Sequence, residues 1–194
     1  MATTPLAITK NAESLRVLFN KIDEVYFLST PNKLPSAITA IDMELPVLSD
    51  GVTFGTGDLT ITKVKLTTGA TWTSYSEVGD SDIKFNVATV DDSIVSLFFT
   101  KKGSTSVALG GTIDGKSYSG NGYGIEPKKC KCGILLCSED KETVIYLPNV
   151  EMYGSLKYED GKPVYIEASV MPLGAEFGSG DANNGSAFMV LKGA

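Results

Sequence analysis

Apolar and polar residues alternate with a period of two through much of the last third of the chain. Between residues 154 and 171, two such stretches flank Asp160-Gly161, a dipeptide that can take the positive φ values of a tight turn, and the pattern predicts a β-hairpin. On its first arm Leu156 and Tyr158 share a face. On its second arm Val164, Ile166, Ala168 and Val170 do, with Lys157, Glu159, Glu167 and Ser169 turned the other way. Such a ribbon has one apolar and one wet side. It suits either an internal hairpin of a β-sandwich or a ribbon that packs against another subunit, and for the second case the candidate subunit-contact residues are Leu156, Tyr158, Val164, Tyr165 and Ile166. A loop rich in Gly, Asn and Asp follows over 174–185, a flexible connection of the kind that often orders on assembly, and then residues 184–191 predict a closing strand.

The earlier pattern is also mostly β. Leu15, Leu18, Phe19 and Ile22 lie at helical spacing behind Asn11, which predicts a short amphipathic helix over 11–22. Residues 25–28 predict a strand, ended by the prolines at 31 and 35. Over 58–66, Leu59, Ile61, Val64 and Leu66 share a face if one bulge follows Thr62. Strands over 71–76 and 82–88 carry Trp72, Ile83, Phe85 and Val87 as inward candidates and are expected to pair antiparallel across the turn at 78–81. Asp91 or Asp92 caps a helix with Ile94, Leu97 and Phe98 on one face, and Lys101-Lys102-Gly103 supplies its cationic end; the competing reading of 94–100 is a buried strand. Strands over 132–137 and 143–147 flank a polar turn, with Pro148 ending the second. About nine or ten strands and one or two helices result. The expected fold is mainly β: an antiparallel β-sandwich or partly closed barrel with one flanking α-helix and a long hairpin.

At 194 residues the chain can bury a full core, and its length favours a single domain over 23–194 preceded by an N-terminal arm or short helix over 1–22. The first residues lack a basic flank and a long apolar core, and no apolar run is long enough to span a bilayer, so no membrane partner or export is expected. Net charge is −6, and Arg16 is the only arginine, which argues against specific nucleic-acid binding because phosphate contacts and base readout draw on clustered Lys and Arg. The chain contains no histidine. That excludes Ser-His and Cys-His nucleophile pairs and most zinc or iron catalytic centres. Carboxylate hydrolysis remains formally open, but acidic pairs such as Asp80/Asp82 and Asp91-Asp92 sit in turn-like sequence. No catalytic residue, cofactor or metal site is expected, and the chain reads as a non-enzyme.

Two motifs need weighing. Residues 110–117 match the P-loop pattern letter for letter, yet a P-loop must open a helix, and here a glycine-rich stretch containing Tyr118 and Tyr123 follows. Nucleotide binding is therefore not expected. Cys130, Cys132 and Cys137 form a C-x-C-x4-C cluster beside Lys128, Lys129 and Lys131; three thiols without a fourth ligand do not complete a structural zinc site. They read as free strand cysteines, with Cys130 the one that nearby lysines could activate. Asn184-Gly185-Ser186 matches the glycosylation pattern, which carries meaning only for a secreted protein.

The late hairpin ending at Val170-Met171-Pro172-Leu173, the glycine loop and the final apolar stretch over 186–191 together resemble the major tail tube proteins of long-tailed bacteriophages. The β-rich stretch with one helix after residues 85–90 is similar to that family's sandwich with a flanking helix, and the resemblance covers about residues 22–192. It implies six copies closing a ring, rings stacking into a hollow tube with other phage tail proteins as partners, and DNA crossing the lumen without specific binding. It implies a place in the virion tail after assembly in the host cytoplasm. An acidic wall suits such a conduit, since like charge lowers affinity for phosphate. The inner-tube proteins of contractile injection systems share this architecture. A different reading is a carbohydrate-binding or adhesive β-sandwich in which Trp72, Tyr75, Tyr118 and Tyr123 form an exposed aromatic platform.

Overall fold

A computed structural model describes residues 21–193. Twelve strands and one α-helix are present among them: β1 (Ile22–Leu28), β2 (Met43–Leu45), β3 (Val47–Gly55), β4 (Leu59–Lys65), β5 (Thr71–Val78), β6 (Asp82–Val87), α1 (Asp92–Phe98), β7 (Phe99–Ile113), β8 (Lys116–Pro127), β9 (Cys130–Ser138), β10 (Thr143–Lys157), β11 (Tyr165–Pro172) and β12 (Met189–Lys192), with a 3-10 turn at Pro35–Ala37. The fold is mainly β with one helix, as the alternation predicts. The helix expected over 11–22 lies outside the described residues except for its end, where Ile22 opens β1.

Eight strands form one antiparallel sheet in the order β2-β1-β9-β10-β11-β6-β3, with β12 added on β10. The first and last strands of that order are joined through Pro46 alone, so the sheet must curl until its two edges meet, and it forms a nearly closed barrel. Its interior is lined by residues of the seven strands in that order, including Val25, Phe85, Ile134, Leu147, Met152 and Ile166. Asp91 caps α1: its Oδ1 accepts from the Ser93 N–H at 2.9 Å, and Ile94 and Phe98 are driven into the core. A smaller cluster on the outer face joins Leu28, Leu135 and Tyr146 to Met189 and Leu191 of the β12 strand; the Tyr146 hydroxyl donates to the Lys33 carbonyl at 2.6 Å.

β10 is the spine. Its first half pairs with β12 and its second half with β11 along one edge, while β9 runs along the other. Pro148 therefore does not end the strand. It sits where the β9 register slips between Leu147 and Val150, a bulge that needs no proline N–H. The late hairpin is present as the end of β10 and β11, but its connection is longer than a two-residue turn. The ladder stops at Lys157–Tyr165, because Pro163 cannot donate to it, and only Gly161 (φ 79°) takes a positive φ. The expected pairing of 71–76 with 82–88 is also replaced. β5 pairs with β4, and β6 lies between β11 and β3. Ile83, Phe85 and Val87 face the core as anticipated, but Trp72 does not: it is 71% exposed. Lys101 and Lys102 belong to β7, since the chain passes from α1 into the strand at Phe99.

Two ribbons leave the barrel as separate two-stranded sheets, β4–β5 and β7–β8. Every residue of β4 and β5 is exposed, and so is β7 from Thr100 onward.

Candidate functional site

The two ribbons are the feature that sets this molecule apart from a simple barrel. In β4–β5 the register is unbroken from Leu59–Val78 to Val64–Thr73, and the irregularity lies after Val64, where Trp72 is the extra residue. This placement matters for the faces. Leu59, Ile61 and Val78 share one face, whereas Val64 falls on the other with Tyr75, so the expected single apolar face is divided between two.

The β7–β8 ribbon was missed by the alternation because its ladder is interrupted three times, at Phe99/Lys101, Lys102/Val107 and Ala108/Thr112. The available signal was Asp114-Gly115. Both residues take positive φ (48° and 76°), as a type I′ turn requires, and place the P-loop-like letters at a hairpin tip followed by strand. The bare ribbon displays Val107, Leu109, Ile113, Tyr118 and Ile125 to solvent.

Its root is clamped to α1 by Asp92. That carboxylate accepts from the Tyr123 hydroxyl and from Asn121 Nδ2 (2.6 Å), and Lys101 Nζ lies 3.6 Å away. The Tyr123 bond is the main cause holding the Asp92 carboxyl below its ordinary value, and the same bond pushes the Tyr123 phenol up to about 12. Lys128 completes the joint, its backbone N–H donating to the Phe98 carbonyl at 2.8 Å and its Nζ to the Ser96 carbonyl at 2.9 Å.

The predicted contact residues divide. Leu156 (56% exposed) pairs with Ile166 and lies near the root of the second ribbon, and Tyr158 and Val164 are exposed on the connection that follows it. Tyr165 and Ile166 are buried within the subunit itself, Ile166 in the barrel core and Tyr165 with its hydroxyl on Glu159. The glycine loop is closed by its own bonds, Gly185 N–H to the Ala175 carbonyl (2.8 Å) and Phe177 N–H to Asn184 Oδ1 (2.7 Å), and is tied to the connection after β1 by Glu176 N–H to Asn32 Oδ1 (2.9 Å).

Among the described residues, no three His, Cys, Asp or Glu side chains gather as metal ligands, and no helix is long and apolar enough to cross a membrane. The cysteines are free: Cys130 is half-buried, Cys132 and Cys137 buried. A hydrogen bond from the Cys132 thiol, assisted by Lys128, lowers the Cys130 pKa against the opposing effect of burial; that same bond and burial raise Cys132. No protein-family model matches the chain, and no curated protein is significantly similar to it.

Proposed function

We propose that this chain is a structural protein that works by self-assembly, its copies closing into rings, hexameric by the resemblance above, that stack into a tail tube through which DNA passes. The observation that carries the reading is the pair of ribbons held clear of the barrel with large apolar side chains in water. An isolated two-stranded ribbon is marginal in water, and both ribbons hold large apolar side chains on exposed strands, so each gains stability by being covered. Their outer edges also carry main-chain donors and acceptors that a neighbouring copy can satisfy, and ring closure removes such edges. A net charge of −6 suits a wall along which DNA must slide. Other tail proteins are then the partners at the ends of the tube, and the virion tail its location. The inner tube of a contractile injection system is the alternative assembly that the same architecture would serve.

Mass measurement in solution at rising concentration, followed by electron microscopy of the same sample, tests this. Rings or tubes are expected; a chain that stays monomeric at high concentration refutes the reading. One observation favours a second function. Trp72 and Tyr75 are both exposed on β5, as an aromatic platform for sugar rings would need. Glycan retention by a monomer would select it.

A further inference from the structure

Three sulfur-bearing side chains share one inner face of the barrel wall. Along β9 the even-numbered residues face inward: Cys132, Ile134 and Leu136 belong to the core, and Cys130 packs against it. Cys130 and Cys132 therefore point the same way, and the hydrogen bond between their thiols brings the two sulfurs together. The β9–β10 register sets Met152 directly opposite Cys130, and Met152 is fully buried in the same core. Directly opposed Cβ atoms lie about 4.5–5.5 Å apart, within reach of a flexible methionine side chain. Cys137 is no part of this group. Its odd position turns it to the other face, where its partner Val144 packs on the outer cluster.

Donor chemistry decides what such a set does. Two residues apart on a strand, the Cβ atoms of Cys130 and Cys132 are separated by about 6.5 Å, whereas a disulfide holds them at about 3.5–4.5 Å, so a direct bond would buckle β9. Structural zinc asks for four ligands, and among the described residues no third Cys, Asp or Glu joins the pair. A soft monovalent ion makes neither demand. Thiolates and thioethers are the ligands it selects, and an ion between two sulfurs bridges a gap that a sulfur–sulfur bond does not. Half-buried Cys130 gives the ion its way in from water, while Cys132 and Met152 close the inner side.

We propose that Cys130 and Cys132, with Met152 as third donor, bind one soft monovalent metal ion of the copper(I) class. Binding releases the thiol protons to water, and two thiolates with one monovalent cation keep a single net negative charge. Lys128 answers that charge: it attracts the Cys130 thiolate and is itself held by the bond from its Nζ to the Ser96 carbonyl at 2.9 Å. The site lies within one subunit and needs no second copy.

The test titrates the full chain, reduced and kept free of oxygen, against copper(I) held by a coloured chelator. One equivalent per chain is expected to leave the chelator, with a sulfur-to-copper charge-transfer band appearing in the ultraviolet. Cys130→Ser and Cys132→Ala each lose the equivalent and the band; Cys137→Ala keeps both. Met152→Leu conserves volume, so it keeps the stoichiometry and binds more weakly. A second measurement needs no variant: one equivalent of copper(I) abolishes the fast addition of a thiol reagent to the wild-type chain. A chelator whose colour the wild type leaves unchanged overturns the proposal, as does an equivalent retained by Cys130→Ser or lost by Cys137→Ala. One ion per two chains overturns it by placing the metal between copies. Unchanged affinity in Met152→Leu overturns the three-sulfur set, and a fast phase that persists under copper(I) overturns the site even where a variant fails to fold.

Discussion

Gly154 of β10 lies so close to Phe98 of α1 that a methyl group on its Cα would stand 2.6 Å from two atoms of the Phe98 ring. Phe98 is fully buried and anchors the helix on the barrel, so the glycine is what lets α1 approach the sheet. Gly154→Ala is expected to cost about 1–3 kcal/mol through overpacking, and Phe98→Ala about 3–5 kcal/mol through the cavity it leaves. Denaturant unfolding checks both. If the helix packs as described, Gly154→Ala is also partly rescued by Phe98→Leu, whereas an unchanged midpoint for Gly154→Ala would show that the ring is elsewhere.

Acid should loosen the joint between α1 and the second ribbon. The Asp92 carboxyl is lowered by the Tyr123 bond, with Asn121 and Lys101 adding to it. A group lowered in the folded state stabilises fully above its unfolded value, near 3.9, and that contribution disappears as pH falls through the lowered value. The stability difference between wild type and Asp92→Asn is therefore expected to be full above about pH 4 and to close below it. Tyr123 gives the opposite limit: raised to about 12, it contributes fully below its unfolded value near 10, and the contribution is lost as pH rises through about 12. Tyr123→Phe should remove that alkaline step. Hydrogen exchange at residues 121–123 reports the ribbon directly, and a flat profile in wild type would argue against the clamp.

What could be read from the sequence tracks what is buried. Ile83, Phe85 and Val87 alternate because one face of β6 meets the core, and Asp91 announces α1 because its cap is a local device. Trp72 was expected inside on hydrophobicity alone, but its strand has no core to face. The β7–β8 ribbon was illegible for a related reason: with no buried side its residues need no strict period, and its bulges break the one they have. Pro148 and Pro163 are instructive together. The first sits inside a strand because a bulge absorbs it, while the second ends a ladder that Asp160-Gly161 alone would have carried further. Around the root of the second ribbon, Leu156 was legible from its alternation; Ile125 was not, because it lies in a bulge where the ladder is interrupted.

The thiols should react in a fixed order. Cys130 is half-buried and its pKa is lowered by the Cys132 hydrogen bond and Lys128, whereas Cys132 and Cys137 are buried and raised. One equivalent of a thiol reagent is expected to add quickly to the native chain, with the other two reacting only on unfolding. Cys130→Ser removes the fast phase. Cys132→Ala slows it at neutral pH by withdrawing the thiol that supports the Cys130 thiolate, and a fast phase that survives Cys130→Ser would assign it to another cysteine.

Trp72 is the only tryptophan, and its exposure on β5 makes it a reporter of whatever covers the first ribbon. In the isolated subunit its emission should be that of a hydrated indole, open to acrylamide. On self-assembly it should shift to the blue and become protected in step with the growth in mass. Trp72→Ala is expected to leave subunit stability within about 0.5 kcal/mol, because the side chain packs on nothing that a monomer needs. If the indole is an assembly anchor worth about 2 kcal/mol, the same variant raises the concentration at which assembly begins by about 30-fold. The sugar-platform reading predicts another pairing of results: protection on adding glycan with the mass unchanged, and glycan retention lost in Trp72→Ala. Both measurements use the same two proteins, and the mass recorded alongside the fluorescence decides between a surface that meets its own copy and one that meets a sugar.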